Sequence, residues 1–92
     1  MEITDEQLNE ITEWAKLYFP PKEICIALEL DYEIMEVRFL DESDAIYKAY
    51  NKGVLLSEAE MRKRVIKLSN DGSSPAQIMR NEYRKKQIYG EQ

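Results

Sequence analysis

The chain has 92 residues, with 18 Asp or Glu, 13 Lys or Arg and a net charge of −5 at pH 7. This length supports one small domain with a modest core, and no apolar run reaches the roughly 20 residues of a membrane span. The absence of histidine excludes a histidine-based zinc site, a Ser-His-Asp triad and a Cys-His pair, and a single cysteine excludes an internal disulfide. The acidic start lacks the layout of a secretory signal, which predicts a cytoplasmic protein.

The charges are unevenly distributed along the chain. Residues 1–46 contain 13 acids and 3 bases, a net charge of −10, whereas residues 47–92 contain 5 acids and 10 bases, a net charge of +5. Such a chain has one part that repels phosphate and another that attracts it. The same asymmetry would let the acidic half of one copy contact the basic half of another.

The first predicted element is a helix near the N-terminus. The sequence TDEQ at residues 4–7 is typical of a capping box. The apolar residues that follow recur at helical spacing, at Leu8, Ile11, Ala15 and Tyr18. The helix is predicted to end at Phe19, because two prolines come next. We expect Trp14 and Tyr18 to lie in the core.

Residues 21–40, PKEICIALELDYEIMEVRFL, have the layout of a helix-turn-helix. Pro21 suits the first position of a helix, and Asp31 suits the cap of the next one. Glu29 and Leu30 would form the tight turn, with Glu29 where glycine is usual. The predicted buried positions are Ile24, Cys25, Leu28, Met35 and Phe39.

The exposed face of the second helix of this motif is predicted to carry Tyr32, Glu33, Glu36 and Arg38. Two carboxylates that face a phosphate-lined groove would be repelled and desolvated. We therefore expect the motif to serve packing or protein contact, or to contact DNA only within a larger assembly.

Residues 43–71 predict a long helix of about 40 Å, with Ser43 as its N-cap and Gly72 as its stop. Its apolar stripe would comprise Ile46, Tyr50, Val54, Met61, Val65 and Leu68. Gly53 costs about 1 kcal/mol in a helix interior, so a bend or a break into two helices is the alternative. Three acids just before and at its start, Asp41, Glu42 and Asp44, lack the regular spacing of a calcium loop.

The second half of the long helix is basic and leads into a last helix. Residues 58–67, EAEMRKRVIK, allow the ion pairs Glu58–Arg62 and Glu60–Arg64. Ser74 as cap and Pro75 at the first position predict the start of the last helix, whose inner face would carry Met79 and Tyr83. A short turn makes the two helices an antiparallel hairpin.

The fold class is therefore predicted to be all-α, in the order helix, helix-turn-helix, long helix and antiparallel C-terminal helix. We predict a single domain over residues 1–92, divided into 1–42, a hairpin over 43–89 and a frayed tail over 90–92. The basic residues of the hairpin form either a solvated, salt-bridged face or a phosphate-facing patch. The candidate nucleic-acid-binding residues are Arg62, Lys63, Lys67, Arg80, Arg84 and Lys85, with Arg38 from the acidic half.

The chain resembles the small terminase subunits and related DNA-packaging proteins of phages and prophages. The resemblance covers most of residues 20–86 and rests on an A-Y-x-x-G stretch, Ala49 to Gly53, and on the turn GSSPA at residues 72–76. It implies that a helix-turn-helix binds packaging-site DNA, that central helices assemble copies into a ring, and that a C-terminal segment meets a large ATP-hydrolysing subunit. A phage-encoded protein would act in the host cytoplasm.

Two functions follow as expectations. The first is a non-enzymatic DNA-packaging protein that oligomerises and binds double-stranded DNA with its basic hairpin. The second is a helical protein-interaction module that uses exposed apolar and aromatic residues, namely Tyr32, Ile34, Val37, Tyr47 and Tyr89. We expect no enzyme, cofactor or metal site, because no acid pair stands beside a nucleophile or a glycine-rich phosphate loop. Cys25 is expected to be buried and inert.

Overall fold

The computed structural model describes residues 2–90, which form helices and no strand. The helices are α1 (Asp5–Ala15), α2 (Pro21–Ala27), α3 (Tyr32–Leu40), α4 (Ala45–Asn70) and α5 (Ser74–Tyr89). The long helix α4 packs against α5. The predicted all-α fold with its C-terminal hairpin is thus confirmed.

The chain divides into two compact units, residues 1–57 (unit 1) and residues 58–92 (unit 2). The boundary falls inside α4, whereas the sequence predicts an internal division between residues 42 and 43. Gly90 follows the last residue of α5, and the rest of the predicted tail, residues 91–92, lies outside the described residues.

Unit 1 has a dense apolar core. Its fully buried side chains, at 0% exposure, are Ile11, Ile24, Cys25, Met35 and Ile46, and Ala15 and Phe39 are nearly so. The capping box at Thr4 and Gln7 forms as predicted. Met35 and Phe39 are buried, also as predicted. Burial, with the nearby carboxylate of Asp31, raises the pKa of the Cys25 thiol. The thiol therefore stays protonated at neutral pH.

The end of α1 differs from the prediction. The helix ends at Ala15 rather than Phe19, and Tyr18 has a left-handed backbone with φ 71°. This left-handed conformation directs the Tyr18 side chain into solvent, where it is 74% exposed. The prediction that Tyr18 lies in the core is therefore wrong. Trp14 is half-buried against the core, and its ring meets Phe19 edge-on with centroids 5.0 Å apart.

The helix-turn-helix forms with the predicted turn. Pro21 begins α2, and Glu29 adopts φ 57°, the left-handed conformation that glycine usually supplies at this position. The amide of Leu30 closes the turn on the Cys25 carbonyl at 2.8 Å. Asp31 then caps α3 by accepting from the amide of Glu33 at 3.0 Å, as predicted.

Helix α4 runs without a break through Gly53, so the alternative of two helices is wrong. Gly53 is buried because α1 passes against it: a Cβ placed there would lie 2.3 Å from the Thr12 carbonyl oxygen and 2.6 Å from the Ala15 Cβ. The Thr12 hydroxyl also donates to the Ala49 carbonyl at 2.8 Å. Glycine is therefore required by close helix packing.

The buried stripe of α4 differs from the predicted one by a single residue at two positions. Val54 is 41% and Leu68 53% exposed, whereas the adjacent Gly53 and Ser69 are buried. One residue corresponds to about 100° around a helix. At Gly53 the buried position is taken by the smallest residue because α1 approaches closely there.

Two helix caps also lie one residue away from their predicted positions. Asp44, and not Ser43, caps α4 by accepting from the Ile46 amide at 2.8 Å, while the Ser43 hydroxyl donates to Asp41 at 2.7 Å. Ser73, and not Ser74, caps α5. A proline at either of the first two helical positions is compatible with a helix start, so Pro75 does not fix the cap.

Candidate nucleic-acid interface

Unit 2 is a helical hairpin closed by a tight turn. Gly72 has φ 99°, and the amide of Ser73 reaches back to the Leu68 carbonyl at 3.0 Å, which together end α4 in the manner of a Schellman motif. The buried residues of this unit are small, Val65 and Ser69 on α4 and Ala76 on α5. The side chain of Gln77 also donates to the Ser69 carbonyl at 3.4 Å.

An open groove of about 290 Å³ runs along the surface of unit 2. Two of its residues come from α4 and four from α5; they are Arg62, Ile66, Arg80, Tyr83, Arg84 and Gln87. The hairpin thus brings together three of the predicted candidates, all arginines. Ile66, Tyr83 and Gln87 are not among the predicted site residues, because only the hairpin pairing places them beside the arginines.

Arg62 is held in one orientation by two contacts. Its Nε lies 3.1 Å from Glu58 Oε1, which confirms the predicted ion pair, and its guanidinium carbon lies 4.2 Å from the centroid of the Tyr83 ring. A guanidinium over an aromatic face is attracted by the ring's quadrupole. Since Nε already donates a hydrogen bond to Glu58, the two Nη groups are the donors that remain for a ligand.

Arg80 lies on the inner side of α5, where the sequence predicts Met79. Arg80 is half-buried, whereas Met79 is 42% exposed, because Ala76, Arg80 and Tyr83 are four and three residues apart and share one face. The Arg80 Nε is buried and has no hydrogen-bond partner within residues 2–90. Leaving such a donor unpaired costs about 1–3 kcal/mol.

Three predicted lysines lie on the exposed surface of the hairpin. Lys63 Nζ lies 3.3 Å from Glu60 and Lys85 Nζ 3.7 Å from Glu82, and all four side chains are largely exposed, so these pairs exchange readily for other partners. Glu60 thus pairs with Lys63 and not with Arg64 as predicted. Lys67 is exposed in the last turn of α4.

Arg38 belongs to unit 1 and has a structural partner there. Its Nε donates to Asp44 Oδ2 at 2.8 Å, which joins the end of α3 to the start of α4. This hydrogen bond is the main cause of a lowered pKa of Asp44. The prediction that Arg38 binds nucleic acid therefore has no support from its position.

The face of α3 that a helix-turn-helix would present to DNA is acidic and apolar. Glu33 and Glu36 are exposed as predicted, and Ile34, Val37 and Leu40 beside them are 53%, 69% and 76% exposed. Of the residues predicted for protein contact, Tyr32 and Tyr47 are half-buried and Tyr89 is exposed. Leu40 is not among the predicted contact residues, because its sequence neighbours indicate a connector rather than a helix face.

Within residues 2–90, no group of three or more His, Cys, Asp or Glu is placed to hold a metal ion. The same residues include no helix with the length and apolar character that crossing a membrane requires. No protein-family model, curated protein or solved structure matches the chain.

Proposed function

We propose that this chain is a non-catalytic protein of the DNA-packaging type, similar to a terminase small subunit, which binds double-stranded DNA through the hairpin of unit 2. The observation that carries the proposal is the groove in which Arg62, Arg80 and Arg84 converge. Copies of the chain would assemble with one another, and a large ATP-hydrolysing packaging subunit would be a further partner.

The charge of each unit supports this assignment. Unit 2 contains eight Lys or Arg and five Asp or Glu, a net charge of +3, whereas unit 1 contains five and thirteen, a net charge of −8. Duplex DNA attracts the positively charged unit 2 and repels the negatively charged unit 1. Arginine suits this role because its planar donors match the oxygens of a phosphate.

A salt titration of DNA binding tests the proposal. Affinity for a duplex should fall with a slope of about −0.9 per phosphate neutralised, so five contacts predict about a 500-fold loss between about 50 and 200 mM salt. Fluorescence anisotropy of a labelled duplex measures this directly. An assembled sample that fails to bind at about 50 mM salt would exclude the DNA-binding function.

Charge reversals locate the binding surface. Arg84→Glu combined with Lys85→Glu should weaken binding strongly and reduce the salt slope by about 1 for each phosphate that the variant no longer neutralises. Glu33→Gln combined with Glu36→Gln, on the acidic face of α3, is the comparison variant and should change affinity much less. A larger effect at Glu33 and Glu36 would assign DNA binding to the helix-turn-helix.

The exposed apolar residues of α3 favour a second candidate function, a protein-interaction module that does not bind DNA. Ile34, Val37 and Leu40 present apolar side chains to solvent, which is typical of a contact surface. Light scattering at physiological salt, with and without duplex DNA, separates the two functions. A ring of many copies favours packaging, and a monomer or dimer that ignores DNA favours the interaction module.

A further inference from the structure

Two cations of the groove in unit 2 lie within 4 Å of no carboxylate of residues 2–90. Among the described residues, Arg80 and Arg84 form no ion pair, in contrast to Arg62, Lys63 and Lys85. Arg80 is in addition half-buried, with an unpaired Nε. A charge that is partly removed from water and has no counter-ion attracts an anion strongly.

We infer that this groove is a phosphate clamp, in which Arg80 and Arg84 donate to the oxygens of one phosphate and Arg62 flanks it. The inference rests on the proposed function, because it takes the phosphate from the DNA backbone. Arg80 and Arg84 are four residues apart on α5, so their side chains leave the helix on the same side, one turn apart. Two forked guanidiniums at this spacing can share the oxygens of a single tetrahedral group.

Tyr83 and Glu58 have positioning roles in this clamp. The Tyr83 ring supports the Arg62 guanidinium at 4.2 Å, and Glu58 fixes its Nε edge at 3.1 Å. Arg62 is therefore ordered before a ligand arrives, which lowers the entropy cost of binding. The competing explanation is that Arg80 only packs its aliphatic stem against the hairpin and extends its head toward water.

Paired substitutions on α5 decide between these explanations. In the full chain, Arg80→Gln and Arg84→Gln should each weaken binding to a labelled duplex by about 10-fold or more at about 50 mM salt, since each removes charge-assisted hydrogen bonds as well as a charge. Lys85→Gln removes the same charge outside the groove and should cost about 3-fold or less. Equal losses at Arg84 and Lys85 would overturn the clamp.

The substitution Arg84→Lys distinguishes the bidentate hydrogen bonding of the guanidinium from its positive charge. Lysine keeps the charge but binds phosphate as a point donor, so the affinity should resemble that of Arg84→Gln more than that of the unchanged chain. Arg84 is exposed, so its variants should fold even if Arg80→Gln destabilises the hairpin, and circular dichroism checks both. Full affinity in Arg84→Lys would contradict a forked contact.

NMR of the arginine Nε–Hε groups provides an independent test with inorganic phosphate as the probe. At constant ionic strength, phosphate should shift the Hε signal of Arg80, and chloride should not. A shift with phosphate but no DNA binding would retain the clamp as a free-phosphate site and exclude the proposed function. DNA binding without any Arg80 shift would retain the function and exclude the clamp, and the absence of both would exclude both.

Discussion

The two units of this chain are built on different principles, although α4 contributes to both. Unit 1 has five side chains at 0% exposure around a common core. Unit 2 buries only Val65, Ser69 and Ala76 among its described residues, and its inner face also carries Arg80 and Tyr83. Apolar burial supplies most folding free energy, so unit 1 should be the more stable unit, whereas the inner face of unit 2 contains polar groups.

Charge follows the same division. The well-packed unit has a net charge of −8 and the thinly packed one +3, so the part of the chain with the smaller core also has the more favourable electrostatics for phosphate. A guanidinium on the inner face of a hairpin is unfavourable for packing. Its presence at Arg80 is more easily explained by binding than by stability.

The largest effect should come from the core of unit 1. Ile24→Ala removes a fully buried side chain and should lower the free energy of unfolding by about 2–5 kcal/mol. Ile78→Ala, in unit 2, removes a side chain that is 65% exposed and should cost less than about 1 kcal/mol. Urea unfolding followed by Trp14 fluorescence reports on unit 1, which contains the only tryptophan.

A comparable loss of stability in both variants would contradict the contrast between the units. Far-ultraviolet circular dichroism provides the complementary signal, because helices of both units contribute to it. If unit 2 unfolds more readily than unit 1, the two signals should have different midpoints in urea.

The next largest effect concerns the packing of α1 against α4. Gly53→Ala places a Cβ 2.3 Å from the Thr12 carbonyl oxygen, so the helices must separate, at a cost of about 1–3 kcal/mol. Helix propensity alone would predict a gain of about 1 kcal/mol. Urea unfolding shows whether the substitution lowers or raises the free energy of unfolding. Lys52→Ala, at an exposed position of the same helix, is the control. A stabilised Gly53→Ala variant would show that α1 does not approach α4 closely.

A smaller effect is expected at the ion pair between Arg38 and Asp44. Asn caps a helix as well as Asp, so Asp44→Asn should retain the cap at Ile46 and lose about 1 kcal/mol from the ion pair. Because Arg38 lowers the pKa of Asp44, the carboxylate stabilises the fold above its unfolded pKa of about 3.9. This contribution is lost as the pH falls from there through the folded pKa.

Unfolding in urea between pH 7 and the acid limit measures that loss. The Asp44→Asn variant should show a weaker decline below about pH 4 than the unchanged chain. Identical acid profiles would mean that the hydrogen bond at 2.8 Å does not contribute to stability.

Most of the fold could be predicted because local signals agree with one another. The capping box at Thr4, Pro21, the Asp31 cap and the apolar spacing each indicate the same helices. The end of α1 could not be predicted, since the prolines set only a limit and no local signal indicates the left-handed Tyr18 or the contact of Phe19 with Trp14. The sequence leaves the role of Gly53 open for a related reason. That role depends on contact with α1, which is distant in the sequence.

The candidate site could be predicted only as a set of charges. The sequence indicates six candidate bases on the hairpin, but their contacts depend on which residues of α5 face α4. Periodicity favoured Met79 as the inner residue, because an apolar side chain is the ordinary choice for that face. The structure places Arg80 there, and its convergence with Arg62 depends on the pairing of α4 with α5, which periodicity does not encode.

The smallest effect is expected at the ion pair between Glu58 and Arg62 in unit 2. Glu58→Gln removes the carboxylate that forms an ion pair with Arg62 and should lower the free energy of unfolding by only about 0.3–0.5 kcal/mol. DNA affinity should rise by about 2–3-fold, because the loss of a negative charge beside the groove should outweigh the loss of the contact that orients Arg62. Glu60→Gln makes the same charge change beside the exposed Lys63 and should give a smaller gain. Equal gains would mean that the hairpin attracts DNA only through its overall charge, and a decrease in affinity in Glu58→Gln would mean that Arg62 must be held in place to bind.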